Sequence, residues 1–388
     1  MLRAVGERSR GSSRLASLDL LRGFVMALMA LDHTRDYWSH SRFDPTDLAV
    51  TTPALFATRW ITHLCAPTFM LLVGTGAYLS LSRGMSKRAL STFLLTRGVW
   101  MIVLEFTVVK LGWFLSDFDP QFYPLLVLWA LGWSMILLAA LIHLPLWAIA
   151  AVSATIVVGH NALDPIHAAD LGAFGPVWAV LHEGGPVVRS HGWNVFAAYP
   201  LIPWMGVAGL GYVLGAVLSR DDVRADPVRR RRLLVTIGAA LLAVFAILRI
   251  AGVYGEPMPW VHGDVATTVM SFFNVTKYPP SLLYVCATLG VAMLLLAVFD
   301  AWRGAVADVL ITFGRVPMFF YLLHIPLIHA AANIAYGGER ALFSPDPWGL
   351  PLWGVYAVWL AACAVLYPLC RWYAGVKARS TSVWLRYL

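Results

Sequence analysis

The sequence predicts an all-α fold, a polytopic transmembrane bundle of about ten helices with both termini in the cytoplasm. Of the 388 residues, 59% are hydrophobic and 13% are charged, and the mean hydropathy is +0.70, which is unlike soluble globular domains. The apolar runs have the length of a membrane-spanning helix and lack the alternating pattern of about ten residues seen in membrane β-barrels. Because backbone amides in hydrocarbon must be paired internally, these runs are predicted to be helices.

The predicted spans follow one another along almost the whole chain. Each is close to the roughly 20 residues that a helix needs to cross the hydrocarbon core. The spans are 18–38, 54–82, 89–115, 122–142, 146–163, 197–219, 231–253, 280–300, 312–336 and 349–374. The chain is therefore divided into a cytoplasmic tail at 1–16, a transmembrane domain at 17–376 and a cytoplasmic tail at 377–388.

The distribution of charge predicts the orientation. The net charge is +8, and most of the excess lies in short loops on one side, including the run Arg229–Arg232. Cytoplasmic loops are enriched in Lys and Arg, so a topology signal explains this excess better than a nucleic-acid partner does. The other side holds the longer loops 39–53, 164–196 and 254–279, and the middle one is predicted to form a cap or short interfacial helices. We expect a multi-pass protein of the bacterial cytoplasmic (inner) membrane.

Ionisable side chains within spans are costly and are functional candidates by default, and the first helix is the richest in them. Arg22 and His33 are eleven positions apart, which is about three turns, about 20° from alignment and about 16 Å along the axis. Both should therefore face the same wall of the bundle. An arginine near the cytoplasmic end can hold a phosphate or pyrophosphate, and a deeper imidazole can act as general base. Asp32 or Asp36 is placed to orient the ring or balance its charge.

The same residues also allow a structural interpretation. Arg22 alone would extend to lipid headgroups, while His33, Arg35 and Asp36 would form a polar collar at the interface. We prefer the structural interpretation for Arg22 alone and the functional one for Arg22 and His33 together.

The first helix also resembles a known family. The stretch from Arg14 to Gly23, with Ser17, Asp19 and Arg22 at fixed positions and then the Arg-x10-His pair, resembles the opening helix of the transmembrane acyltransferase superfamily. Within it, segments 28–36, 273–281 and 313–324 resemble bacterial membrane proteins related to heparan-alpha-glucosaminide N-acetyltransferase. The resemblance implies a cytoplasmic acyl-CoA donor, an acceptor on the other side, and His33 at the superfamily's essential polar position. The animal heparan enzyme has a catalytic histidine slightly later, for which His40 is the nearest counterpart, so either histidine is a candidate base.

Other helices add further candidates. His63 lies about 14 Å in from the far side of the second span, where it could face His33 as a catalytic group or be structural. Arg315 and His329 are fourteen positions apart on the predicted ninth helix and lie close to one face of it. They would form a second pair of arginine and histidine, like Arg22 and His33, that helps to bind the donor. His324 points to another face of that helix.

Acceptor binding is assigned to polar groups toward the far side. Lys277 and Tyr278, at the outer start of the eighth helix, could hold an anionic or sugar acceptor, or could serve only as interfacial anchors. Arg35 and His324 complete the acceptor candidates.

Together these features predict an acyltransferase that takes an acyl group, with acetyl the first candidate, from acetyl-CoA or another acyl-CoA. The expected partners are the lipid bilayer and a glycan or glycolipid acceptor, with a homodimer left open and no metal or haem. Two alternatives remain. A transporter or flippase for a small polar or anionic substrate would also carry ionisable groups inside its spans. A membrane cytochrome would use axial histidines from among His33, His63, His324 and His329.

Overall fold

The computed structural model describes residues 15–115, 118–190, 192–337, 349–380, 382 and 385. In this part of the chain, eight helical segments are long and apolar enough to cross a membrane. The shorter apolar helix Val127–Leu141 and the charged first helix Ala16–Trp38 pack among them. The predicted fold class, a polytopic helix bundle, is therefore confirmed. Residues 1–14 of the predicted N-terminal tail and part of the C-terminal tail lie outside the described residues.

Helices make up most of the described chain. The α-helices are α1 (Ala16–Trp38), α2 (Pro53–Thr62), α3 (Cys65–Ser82), α4 (Lys87–Leu104), α5 (Lys110–Trp113), α6 (Val127–Leu141), α7 (Leu146–Gly159), α8 (Gly175–Trp178), α9 (Leu201–Ser219), α10 (Asp221–Arg224), α11 (Pro227–Ala251), α12 (Val265–Phe273), α13 (Leu282–Phe299), α14 (Ala305–Arg315), α15 (Pro317–Tyr336) and α16 (Leu352–Arg379). The strands are β1 (Phe122–Leu125), β2 (Gly185–Ser190) and β3 (Trp193–Ala197). Short π-helical turns occupy Glu105–Val109 and Ala179–Glu183, and 3-10 turns occupy His160–Leu163 and Ala168–Phe174.

Helix ends coincide with capping residues. The Asp226 side chain accepts hydrogen bonds from the first amides of α11, and Ser281 does the same for the Tyr284 amide at the start of α13. At the other end, α11 stops at Gly252, whose φ of 63° is a left-handed conformation that glycine adopts without strain. These local signals fix the long helices that frame the candidate site.

The predicted ninth span at 312–336 is not one continuous helix. The chain forms two helices there, since α14 ends at Arg315 and α15 begins at Pro317, with the non-helical Val316 (φ −129°, ψ 51°) between them. Proline has no amide hydrogen and suits the first position of a helix, so Pro317 starts a new helix instead of continuing the old one. The consequence for the site is that Arg315 belongs to a different helix from His324 and His329.

A small sheet replaces helix in two predicted segments. The start of the predicted span 122–142 is β1, which pairs in parallel with β3, while β2 pairs antiparallel with β3. The loop 164–196 therefore contains a β-hairpin as well as the short helices that the sequence predicts. The sheet delays α6 until Val127 and so places the start of α6 within the bundle.

The first helix is the centre of the bundle. It contacts α2, α3 and α13–α16, and its closest neighbour is α14. Glycines allow this approach, because a Cβ added to Gly23 would overlap the Leu310 carbonyl and one added to Gly314 would overlap the Asp19 carbonyl. As a result, the middle of α1 and the end of α14 form one continuous wall.

A buried carboxylate holds the start of α6. Glu105, in the π-helical turn after α4, accepts hydrogen bonds from the amides of Leu128 at 2.8 Å and Trp129 at 3.0 Å. These amides belong to the first turn of a helix, where no intrahelical acceptor exists. Glu105 therefore fixes the point at which α6 enters the wall of the candidate site.

Candidate functional site

Three cavities follow one another through the bundle, and each is named here after one lining residue. The Arg22 cavity, of about 400 Å³, lies between α1, α3, α4, α6, α15, α16 and the end of α14. The His33 cavity, of about 200 Å³, lies at the opposite end of α1 and is also lined by α2, α3 and α15. The His63 cavity, of about 450 Å³, is lined by α2, α12 and the loops around them.

Neighbouring cavities share parts of their walls. The Arg22 and His33 cavities have three lining residues in common, which are Phe69, Val127 and Tyr321. The His33 and His63 cavities also share three, which are Arg59, Lys277 and Tyr278. The His33 cavity therefore lies between the other two cavities and adjoins each of them.

The Arg22 cavity is cationic. Its charged lining residues are Arg22, Arg97, Arg315 and Lys377, and no carboxylate is among the described residues that line it. The Arg22 guanidinium donates hydrogen bonds to the Asp19 carboxylate at 3.2 Å and to the Gly314 carbonyl at 3.0 Å, which fixes it at the contact between α1 and α14. A cavity whose described charged lining residues are all cations suits a polyanionic ligand such as a phosphate chain.

Arg315 joins this cavity, but His329 does not. The break at Val316 leaves Arg315 exposed at the cavity, beside Arg22. His329 is 1% exposed, donates from Nδ1 to the Gly112 carbonyl at 3.1 Å and stacks on Tyr37 at 4.3 Å between ring centroids. It lines none of the three cavities. The prediction that Arg315 and His329 share a helix face and bind the donor together is therefore wrong.

His33 and His324 are in direct contact in the His33 cavity wall. His33 Nδ1 lies 2.7 Å from His324 Nε2, and the two rings stack with an interplanar angle of 20°. His324 is fully buried, and its Nδ1 lies 2.7 Å from the Tyr321 carbonyl and 3.2 Å from the Phe320 carbonyl. The sequence prediction that His324 binds the acceptor is wrong, because its ring contacts His33 and does not line a cavity.

These contacts fix where the protons lie on the two neutral rings. A carbonyl oxygen only accepts, so His324 Nδ1 carries the hydrogen and His324 Nε2 is left as an acceptor. His33 Nδ1 must then donate to it, which leaves His33 Nε2 with an unprotonated lone pair. No described residue is hydrogen-bonded to that nitrogen, and His33 lines the cavity. The arrangement presents a proton acceptor to whatever enters.

Asp32 and Asp36 are paired with arginines. The Asp32 carboxylate lies 2.8 Å from Arg35 and 2.5 Å from Arg59, and it accepts a hydrogen bond from Thr62 at 2.9 Å. Asp36 lies 2.6 Å from the Arg35 guanidinium. No described hydrogen bond joins either carboxylate to the His33 ring, which contacts His324 instead, so the prediction that one of them orients the ring loses support. The prediction that one of them balances the charge of the ring stays a prediction. The prediction that Arg35 binds the acceptor also loses support, because both of its contacts are internal ion pairs.

His40 lies outside the cavities. It is exposed, its Nδ1 contacts the Leu350 carbonyl at 2.9 Å, and it is not among the residues that line any of the three cavities. Of the two histidines that the sequence left open as the base, the structure brings only His33 to a cavity.

The His63 cavity collects the remaining candidates. His63 is 4% exposed, its Nδ1 has no hydrogen-bond partner among the described residues, and it lines this cavity and not that of His33. Lys277 and Tyr278 lie on the shared wall. Burial alone would raise the pKa of Tyr278, but Lys277 and Arg59 lower it below its usual value. The potential at this wall is therefore positive.

Sequence reasoning missed several residues of the site, including Arg97 and Lys377 in the Arg22 cavity and Arg59 and Tyr321 on the shared walls. Arg59 precedes His63 by four positions, the spacing of neighbours on one helical face, and this signal could have identified it. Tyr321 lies within the segment 313–324 that carries the family resemblance, three positions before His324. Nothing in the sequence shows that its ring reaches two cavities.

Comparison with known families gives one match, which covers more than half of the chain. The family model for the catalytic region of heparan-alpha-glucosaminide N-acetyltransferase matches residues 14–250. No curated protein matches the chain. The matched part includes Arg22, His33, Arg59 and His63, whereas the walls contributed by α12–α16 follow it in the chain.

Proposed function

Because the chain belongs to the family of the heparan-alpha-glucosaminide N-acetyltransferase catalytic region, we propose that it transfers an acyl group, with acetyl the first candidate, from cytoplasmic acyl-CoA to a hydroxyl or amine of an extracytoplasmic glycan. Membership of the family establishes a membrane acyltransferase in general terms. The observation that carries the finer proposal is the row of three cavities, with a cationic cavity at one end and an unprotonated His33 nitrogen in the middle.

The donor enters at the Arg22 cavity. Coenzyme A carries several phosphate charges, which the guanidiniums of Arg22, Arg97 and Arg315 would hold. A smaller cavity of about 240 Å³, lined by Asp19, Arg22 and Arg83 among others, extends this cationic end and offers room for the nucleotide. The pantetheine arm then lies along the apolar walls, and the thioester comes to the constriction that leads to His33.

The reaction takes place in the His33 cavity. His33 Nε2 removes the proton from the acceptor hydroxyl or amine as that atom attacks the thioester carbonyl carbon. The resulting tetrahedral intermediate collapses, the carbon–sulfur bond breaks, and the proton held by His33 passes to the coenzyme A sulfur. His324 keeps the His33 ring in the tautomer that can perform this step.

The acceptor occupies the His63 cavity. Lys277 and Tyr278 line the wall between this cavity and His33, so they are placed to contact the acceptor group that reacts. The positive potential at this wall suits a polar or anionic glycan.

The proposed reaction requires one orientation in the membrane. The Arg22 end and both termini lie in the cytoplasm, and the His63 cavity opens to the other side of a bacterial cytoplasmic membrane. The cation-rich loops support it, because Arg220, Arg224 and Arg229–Arg232 lie on the same side as the start of α1. Arg230 pairs with Asp300 at 2.8 Å, and Ser17 at the start of α1 contacts the same carboxylate.

The test compares envelope glycans and lipids from cells that have the gene, lack it, or carry His33→Ala or His40→Ala in its place. Mass spectrometry should find an acyl group that is present with the natural protein and with His40→Ala. The same group should be absent from the deletion and from His33→Ala. If the deletion leaves every acyl group in place, the proposed function is wrong.

A further inference from the structure

The constriction between the Arg22 and His33 cavities contains one side chain that can form a hydrogen bond. Three described residues line both cavities, and two of them, Phe69 and Val127, have purely apolar side chains. The third, Tyr321, is 6% exposed and lies one turn before His324 on α15, with 5.5 Å between the two ring centroids. A thioester that passes from the donor cavity to His33 must pass this phenol.

The Tyr321 hydroxyl has no hydrogen-bond partner among the described residues, although it is not sealed from the cavities. Two other buried phenols near the site are used. Tyr37 donates to the Trp113 carbonyl at 2.7 Å, and Tyr284 donates to the His63 carbonyl at 2.8 Å. Because buried polar groups are nearly always hydrogen-bonded, an unused phenol facing a cavity indicates a ligand group that accepts.

The other polar groups near this wall are already engaged. The Thr62 hydroxyl donates to Asp32, the Cys65 thiol donates to the Val25 carbonyl, and Tyr278 donates to Tyr199 at 3.3 Å. The cations Arg59 and Lys277 lie on the opposite wall, which faces the His63 cavity. The Trp113 indole N–H in this wall also has no described partner, but it is sealed from the cavity. On the donor side of the His33 cavity, Tyr321 is therefore the donor that a ligand can reach within the described chain.

From this geometry we infer that Tyr321 is a catalytic residue whose hydroxyl donates a hydrogen bond to the thioester oxygen while the tetrahedral intermediate forms. The inference rests on the proposed acyl transfer. As the acceptor atom bonds to the carbonyl carbon, the electron pair of the C=O bond moves to the oxygen, and the Tyr321 hydroxyl stabilises that charge. When the carbon–sulfur bond breaks, the pair returns, and the proton from His33 goes to sulfur.

A donor in this position acts mainly on the transition state. The oxygen gains charge only as the intermediate forms, and a fixed donor in a water-poor site stabilises that charge more than it stabilises the neutral carbonyl. The expected signature is a fall in kcat with little change in the affinity for the donor.

The test uses the full-length protein in detergent, with acetyl-CoA as donor and glucosamine or isolated envelope glycan as acceptor. Tyr321→Phe keeps the ring and removes only the hydroxyl. Its kcat should fall about 100-fold, the scale measured for the loss of one oxyanion donor in other enzymes. The KM for acetyl-CoA and the Kd for free coenzyme A, which has no carbonyl to contact, should stay within about twofold of the natural values.

Tyr373→Phe is the matched control. Tyr373 on α16 is also a buried tyrosine whose hydroxyl has no described partner, but it packs against Phe319 and lines none of the three cavities. It should keep the kcat of the natural protein. If the Tyr321→Phe variant is folded and its kcat is normal, the inference is overturned. The same holds if only its KM is raised.

The outcomes separate this inference from the proposed function. If the natural protein transfers no acyl group, or if His33→Ala is as active as it, the proposed function has failed. If the natural protein is active, His33→Ala is inactive and Tyr321→Phe is normal, the function stands and the role of Tyr321 is refuted.

Discussion

The Arg22 and His33 cavities both contain arginines, but the arginines are used differently. In the Arg22 cavity, four cations line a space without any carboxylate among its described lining residues. In the His33 cavity, Arg35 and Arg59 each lie within 2.8 Å of a carboxylate that lines the same space. At one end of the site the described charged lining residues are all cations, and at the other the arginines are paired with carboxylates of the same cavity wall.

This difference separates binding from chemistry. Gathering like charges is unfavourable unless a counter-charge arrives, so the Arg22 cavity is suited to an anionic ligand from outside. Paired charges are already neutralised, and their hydrogen bonds hold α1 and α2 in place around His33. Substitutions in the two cavities should therefore affect different quantities.

The largest effect is expected at His33. His33→Ala removes the histidine whose unprotonated nitrogen lies in the His33 cavity, and kcat should fall about 1,000-fold, within the range for loss of a general base. Release of the coenzyme A thiol measures the rate, and size-exclusion chromatography in detergent checks the fold. His40→Ala, at the exposed end of α1, serves as the comparison and should remain active. Equal losses in the two variants would contradict the assignment of His33.

Substitution in the ion-pair network of Asp32, Arg35 and Arg59 should lower the stability of the protein. Asp32→Asn removes the charge that balances Arg35 and Arg59, and uncompensated buried guanidiniums cost about 3 kcal/mol or more. Thermal unfolding in detergent should show a clearly lower Tm. Asp222→Asn offers a matched control, because its partners Arg220 and Arg229 are exposed and exposed pairs contribute little to stability. An unchanged Tm in Asp32→Asn would show that the network is dispensable.

A smaller effect is expected at His324, which acts through His33. In His324→Phe the ring stack is kept but His33 Nδ1 loses its acceptor, so the productive tautomer is no longer fixed and kcat should fall about 30-fold, consistent with about 2 kcal/mol for an unsatisfied donor. In His324→Gln, a side-chain oxygen can still accept from His33, and much of the rate should return. Such a rescue distinguishes positioning from packing, because glutamine is the poorer match to the ring in shape.

The sequence predicts the fold class and part of the site for identifiable reasons. Composition and run length require a helix bundle, and the spacing of Arg22 and His33 along one helix can be calculated from its pitch. The local interpretation is wrong at two places, since Pro317 marks a helix start within an apolar run, and Phe122–Leu125 form a strand where the sequence predicts a helix.

What the sequence does not reveal are contacts between distant segments. His33 and His324 are 291 positions apart, and Asp32 meets Arg59 only because α2 packs against α1. Asp32, next to His33 in the sequence, was the natural candidate to orient the His33 ring, yet its carboxylate forms ion pairs with Arg35 and Arg59. Tertiary packing decides which of several suitable partners a polar group contacts.

The smallest of these effects is expected at Arg315. This substitution should also separate most clearly the binding role of the Arg22 cavity from the chemistry at His33. Arg315→Ala should raise the KM for acetyl-CoA about tenfold, the scale of one charge-assisted contact with phosphate, and leave kcat nearly unchanged. With S-acetylpantetheine, which lacks the nucleotide and its phosphates, the same variant should match the natural protein. Arg229→Ala, on an exposed arginine paired with Asp222, controls for loss of one surface charge. If Arg315→Ala raised the KM for acetyl-CoA and for S-acetylpantetheine equally, Arg315 would shape the cavity wall without binding phosphate. A lost phosphate contact would raise only the KM for acetyl-CoA, because S-acetylpantetheine has no phosphate.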